Sequence, residues 1–244
     1  MKKYYYDLHI HSSLSPCGDD DSTPNSIAGM GKLNGLNIMA LCDHNTCKNC
    51  PAFFEAAKRH GILPVAGMEL TTSEDIHAIC LFPNLEKAME FDREIEKRRI
   101  LIPNRADIFG EQIITDSEDN ILGYEEHLLI SATTVSFDEA PSLVESFGGI
   151  CYPAHIDRTS NGVIAVLGAF PESPEFYCAE VHQADKITEY ARLSKMEESK
   201  IIISSDAHNL WDIKESREFF LLPEIPEGSD NAGEYIIAYL REGK

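Results

Sequence analysis

Basic residues are scarce in this chain. Its 244 residues carry 21 Lys and Arg against 41 Asp and Glu, a formal net charge of −20. So acidic a surface repels polyphosphate, which argues against a nucleic-acid duplex as partner and against any binder built on a basic face. A small phosphorylated substrate stays open, because cations held in one pocket invert the field locally. Long apolar runs are missing too: none approaches the roughly 20 residues needed to cross a bilayer, so no membrane partner is expected. Met1 to Asp7 run into a polar segment without the apolar core of a secretory signal. The 7 cysteines are odd in number and scattered, and without an export signal they read as thiols or metal ligands. A cytoplasmic location follows as the expectation. No Gly-x-Ser-x-Gly, P-loop or Gly-x-Gly-x-x-Gly stretch occurs, so nothing points to those nucleophile or phosphate-cradle chemistries.

What is present is an alternation of short apolar runs and helical stretches. Tyr4–His11, Ile38–Cys42, Leu63–Leu70, His77–Phe82, Gly149–Tyr152, Ala179–His182 and Ile201–Ser204 read as strands. Asn25–Leu33 (after Thr23-Pro24), Pro51–His60 (closed by Gly61), Ser142–Phe147 and Ile187–Lys195 read as helices. Strands alternating with helices predict parallel βα units in an α/β fold. Residues 86–139 fit this least. Glu86–Arg99 reads as a charged, solvent-facing helix, and 116–120 as a polar turn at a hairpin tip. The expectation is one domain over residues 1–244, with an insertion at roughly 86–139.

Polar residues gather at the strand ends. His9 and His11 are two apart, so both rings project from one strand face. Asp206 and His208 repeat that spacing, Glu69 follows Val65-Ala66-Gly67, His44 follows Asp43, and His155 follows Pro153-Ala154. His77 opens another strand. A barrel of parallel strands would bring such ends to one rim, where barrels place their chemistry. Imidazole with carboxylate is a ligand set for zinc, iron or manganese. A single His-x-His pair says little, but so many sites at strand ends point to a multinuclear metal centre.

Asp7-Leu8-His9-Ile10-His11-Ser12, Asp43-His44-Asn45, Gly67-Met68-Glu69, Pro153-Ala154-His155 and Ser205-Asp206-Ala207-His208, in this order, resemble the motifs of the PHP (polymerase and histidinol phosphatase) family. The resemblance implies a distorted seven-stranded (β/α) TIM-like barrel, three divalent metal ions and phosphoesterase chemistry. His9, His11, Glu69 and Asp206 would then hold one metal. Glu69 would bridge to a second, completed by His77 and His155. His44 and His208 would hold a third with a ligand from the loop after the first motif.

That loop departs from the family pattern. Where many members carry His or Asp, this chain has Ser15-Pro16-Cys17-Gly18, followed by Asp19, Asp20 and Asp21. Cys17 is the candidate ligand, and its thiolate would favour zinc or iron over magnesium; one of the three aspartates is the alternative. Zinc is the leading expectation for the metals, with iron or manganese next. Cys47-Lys48-Asn49-Cys50 lacks a second C-x-x-C to complete a Cys₄ site and reads as two packed thiols. His182 either meets substrate or closes the rim. Asp43 or Asp157 could orient ligand histidines as acceptors.

The resulting expectation is a metal-dependent phosphoesterase acting on a small phosphorylated substrate: a nucleotide, or a sugar or amino-alcohol phosphate. Arg158 would grip the phosphate with its guanidinium, and His155 and Asp206 would share the catalytic work. Two other classes compete. An amidohydrolase-like enzyme would cut C–N bonds at a similar rim, and a non-catalytic metal-bound scaffold would use none of this chemistry.

Overall fold

A computed structural model describes residues 1–242. Nine residues, Lys2–Ile10, form β1, with Pro24–Leu33 as α1, Ile38–Leu41 as β2, Cys50–His60 as α2 and Leu63–Thr71 as β3. His77–Phe82 is β4, Leu85–Glu96 α3, Ala106–Phe109 α4, Ile113–Thr115 β5 and Ile121–Tyr124 β6. Ala140–Glu145 is α5, Ile150–Pro153 β7, Val163–Leu167 α6, Ala179–Val181 β8, Ile187–Ser194 α7 and Ile201–Ile203 β9. Phe219–Leu222 (β10) and Ala232–Glu242 (α8) end the described chain.

Local chemistry sets the helix limits. Thr23 caps α1, its hydroxyl accepting from the Ser26 amide, with Pro24 in the first turn. Gly61 ends α2 in the left-handed region at φ 70°, where a Cβ would be strained. The predicted solvent-facing helix is amphipathic instead: α3 buries Ala88, Phe91, Asp92 and Ile95. The polar stretch 116–120 does join β5 to β6 as an antiparallel hairpin.

The main sheet has six strands in the order β10-β1-β2-β3-β4-β7. β1, β2 and β3 pair in parallel, with Ile38 opposite Leu63 and Tyr6 opposite Ile38. β3, β4 and β7 pair antiparallel. That corrects the expectation of parallel units throughout: only five residues separate β3 from β4, and so short a connection allows only a hairpin. β8 and β9 form a separate parallel pair. Contacts to β1 and to the segment after β7 tie it to the curled sheet, among them the Ile156 amide to Glu180 O at 2.8 Å and the His11 amide to Ala207 O at 2.9 Å. The result is a curled half-barrel α/β fold, and the expected seven-stranded TIM-like barrel is not present as one closed ladder. Apolar residues cover both sheet faces, Phe53 of α2 with Met39 and Leu41 on one, Ile236 of α8 with Ala40 and Val65 on the other. Among the described residues no helix is long and apolar enough to cross a membrane.

Candidate metal centre

The strand ends converge past a register irregularity in β1 between Asp7 and Ile10. Beyond it the His9 and His11 rings stand 5.0 Å apart, and an isolated parallel bridge sets His44 against Glu69. His155 and Asp206 stand just beyond β7 and β9 with φ of 28° and 51°, in the left-handed region that side chains with a Cβ rarely adopt. Backbone of that kind costs about 1–3 kcal/mol per residue and persists where surrounding structure holds it, often at functional sites.

Glu69 is the hub. It is 1% exposed, and its Oε1 lies 2.9 Å from His77 Nδ1, 3.0 Å from His155 Nε2 and 3.4 Å from His9 Nε2. Its Oε2 lies 3.0 Å from His44 Nδ1 and 3.2 Å from His11 Nε2. Asp206 Oδ1 completes one side, 3.2 Å from His9 Nε2 and 3.1 Å from His11 Nε2. Three donor groups result: His9, His11, Glu69 and Asp206; His44, Glu69 and His77; and His11, His44 and His208.

These groups fit metal ions better than they fit each other. His9 Nε2 and His11 Nε2 approach to 3.0 Å. Ligands held about 2.0–2.2 Å from one ion stand roughly 2.8–3.6 Å apart, from octahedral to tetrahedral geometry, and the 3.0–3.4 Å separations of the first group fall in that range. His44 Nδ1 and Glu69 Oε2, though 3.0 Å apart, are not aligned for a hydrogen bond, so both are buried without a partner. Buried polar atoms left so are costly, and a shared cation would satisfy them.

The rings are oriented from behind. His9 Nδ1 donates to Glu180 Oε1 at 2.8 Å, turning Nε2 inward. His11 Nδ1 donates to Ser15 Oγ at 2.9 Å, and Ser15 donates to Asp43 Oδ1 at 2.8 Å. Asp43 therefore acts on a histidine only through Ser15. Asp157 accepts the His182 and Gln183 amides and touches none of the donor rings. Glu180 and Ser15 were not among the expected site residues. The signal for Glu180 is that Asp7-x-His9, Glu180-x-His182 and Asp206-x-His208 all repeat one acid-x-His pattern at strand ends.

Burial and charge compete at each group. Burial works to raise the Glu69 carboxyl, but His77, His9 and His44 around it hold it well below the usual carboxylate range. Burial likewise works against Asp206 ionisation, and His9 and His11 reverse it, leaving that carboxyl far below its ordinary value. Burial alone would push the His11 imidazole down, yet Asp206 and Glu69 lift it to about 9. Burial pushes His44 down to about 4 and His208 down to about 3, with the neighbouring His11 adding to both. The ionised carboxylates and the lowered His44 and His208 imidazoles are in the state a cation centre needs, whereas His11 has to give up its proton to ligate one.

The structure brings together all the expected donors except Cys17. His155 joins through Glu69 rather than as part of a three-atom group, and His11 stands where a loop ligand was expected beside His44 and His208. Cys17 is exposed and lines the mouth, outside all three groups. Its loop is held beside His208, the Gly18 amide donating to Ser15 O and the Asp19 amide to His208 O, both at 2.8 Å. The mouth is a cleft of about 200 Å³ that Arg158 also lines, its Nη1 2.6 Å from Asp206 Oδ2. Cys47 and Cys50 are buried thiols whose sulfurs both approach Gly67 O, away from the centre.

Known proteins are similar to this chain in part of its sequence or in its fold. A 5'-3' exoribonuclease of Haemophilus influenzae is 28% identical over 142 residues, covering 51% of this chain and 50% of its own. The lesion-specific endonuclease PfuEndoQ of Pyrococcus furiosus matches all of this chain and 57% of its own, at 17% identity and a TM-score of 0.66. An amidohydrolase of Chromobacterium violaceum with bound sulfate matches 90% of this chain and 92% of its own, at 19% identity and TM-score 0.57. The chain thus spans about half the length of the first two.

Endonuclease Q has also been solved on a 27-mer duplex with an abasic lesion at its active site (TM-score 0.63, 16% identity, 100% of this chain and 57% of that one). This overturns the expectation that the −20 charge argues against a nucleic-acid duplex, since the same fold serves a duplex there. The reason is range: charges beyond about 8–10 Å are screened by salt, so the field within the cleft counts for more than the sum over the surface. The sequence pattern of the PHP domain covers residues 7–165, through Glu69 and the His9, His44 and His155 positions that gather around its carboxylate, and the chain belongs to the PHP domain family.

Proposed function

We propose that this chain is a metal-dependent phosphoester hydrolase acting on a nucleotide-bearing substrate. The observation that carries the reading is Glu69, buried and within 3.4 Å of five histidines beneath an open cleft. The nucleotide part draws on the exoribonuclease and endonuclease relatives; a duplex or a strand end enters such a reading as readily as a mononucleotide.

Three divalent ions would be held, one by each donor group, with zinc the first expectation and iron or manganese next. When bound, such ions supply Lewis-acid charge and an activated water. The chain's own part is orientation and charge. Glu180 and Ser15 keep the Nδ1 protons of His9 and His11 pointing away from the cleft. Arg158, half exposed, keeps guanidinium edges free to grip phosphoryl oxygens in parallel while Nη1 rests on Asp206. His155 stands opposite, with Nε2 on Glu69. The segment 86–139, read as an insertion in a single domain, contributes Ile130 to the cleft wall.

No observation favours C–N hydrolysis through a carbamylated lysine, as no lysine lines the cleft among the described residues. The test is release of phosphate or nucleotide from a nucleoside bisphosphate, a 5'-phosphorylated RNA and an abasic duplex. Turnover that His155→Ala abolishes is expected; equal turnover in that variant, or none with any substrate after metal loading, overturns the reading.

A further inference from the structure

A second cavity, of about 310 Å³, lies beside the metal centre. Its floor is where β1 changes partners. β10 pairs with Lys2–Tyr5 and the Ala207 segment meets Ile10, so Tyr6, whose amide reaches Glu218 O at 3.2 Å, and Asp7 lie at the seam. Ser205, in the cavity wall, directly precedes the donor Asp206, and its amide donates to Asp7 Oδ1 at 3.0 Å. Lys214 Nζ spans the seam, 3.0 Å from His182 O and 3.1 Å from Ser204 O, and so clamps the ends of β8 and β9. His182 lines this cavity, and Arg158 lines the metal cleft. The His182 imidazole is held below its ordinary value by burial and by the Lys214 and Arg158 cations, one from each cavity.

The lining selects a ligand class. Tyr6 and Ile203 give apolar wall, each under 10% exposed. Gln183 and Arg217 stand at the rim with no side-chain hydrogen bond among the described residues, offering an amide and a guanidinium. Asp185, Glu215 and Glu218 supply carboxylate acceptors. With Asp7, these carboxylates outnumber Lys214 and Arg217, so a second phosphate would be repelled. Sugars alone would call for a polar wall. An aromatic heterocycle with both donors and acceptors suits an apolar slot with an amide and ions of both signs at its rim.

We infer that this cavity is the nucleoside pocket of the same enzyme, seating the base while its phosphate enters the metal cleft past His182 and Arg158. The assignment rests on the nucleotide reading above. Gln183 and Arg217 read the base edge, and Lys214 serves mainly to hold the seam.

The test uses the full metal-loaded chain with adenosine, guanosine, cytidine and uridine, which lack phosphate and so bind without the reaction. At millimolar concentration at least one should shift the NMR amide signals of Gln183, Ala184 and Arg217. Gln183→Ala and Arg217→Ala, both at the rim, should each weaken that nucleoside about fivefold, the loss of one hydrogen bond. Binding should survive His155→Ala, which removes turnover alone. No shift at these amides with any nucleoside overturns the pocket, as does nucleotide turnover whose KM neither rim variant alters. Nucleoside binding at these amides without turnover of any nucleotide upholds the pocket and overturns the phosphoester reading.

Discussion

Glu180 holds two strands of the centre at once. Its Oε1 accepts from His9 Nδ1 at 2.8 Å and from the His155 amide at 3.2 Å, at 1% exposure. One carboxylate thus sets the ring of a β1 histidine and the backbone after β7, two segments far apart in sequence. Glu180→Gln keeps the shape but removes the charge behind His9. Loss of such an outer partner costs about 10–100-fold in metal affinity, to be read by competition against a chromophoric chelator. An unchanged affinity would show that β1 alone orients His9.

Metal uptake should release protons and strengthen as pH rises. The His11 imidazole is lifted to about 9 by Asp206 and Glu69 against the effect of burial, so near neutral pH it carries a proton that a metal must displace. Calorimetry in buffers of different ionisation enthalpy would show the release. Equal apparent enthalpies in all buffers would mean His11 is already neutral.

With one ion for each of the three donor groups, elemental analysis of reconstituted protein should approach three equivalents. His208→Ala removes a member of one group only and should lower the count by one. Cys17→Ser, whose side chain lies outside every group, should leave it unchanged. A drop in the Cys17 variant would place the thiol among the ligands.

Arg158→Lys should not restore what Arg158→Ala loses. A lysine keeps the charge but gives up the paired N–H edges that fit a phosphoryl group. We expect kcat/KM to fall about 10²–10³-fold in the alanine variant, the scale for removing a donor to developing charge. Unchanged kinetics in both would assign Arg158 to the Asp206 contact alone.

The segment after β6 is tied to the loop after His44. Lys48 Nζ lies 2.6 Å from Glu125 Oε2, with Arg99 Nη1 at 3.4 Å. Burial works to raise the Glu125 carboxyl, but the Lys48 bond and the two cations outweigh it and lower it. A depressed carboxylate stabilises the fold above its unfolded value, about 4.3, and that contribution fades as pH falls through the folded value. Glu125→Gln should therefore cost about 1–3 kcal/mol near pH 7, and the gap should close in acid. Urea melts at both pH values decide it; a gap independent of pH would assign the loss to packing.

The chain order alone marked where the donors stand. His9-x-His11 on an apolar strand, His44 and Glu69 after two others, and Asp206-x-His208 at a fourth follow from alternation and from where apolar runs stop. Such signals are local, so they survive without a partner strand. Tertiary structure decided the rest. It turned β3 to β4 into a hairpin, placed His11 rather than Cys17 beside His44 and His208, and brought Glu180 behind His9. It also opened the seam between β9 and β10. Each depends on register and packing between segments far apart in the chain, which no local periodicity encodes. Net charge misled for the complementary reason: it sums over the whole surface, while recognition acts within a Debye length of a few residues in one cleft.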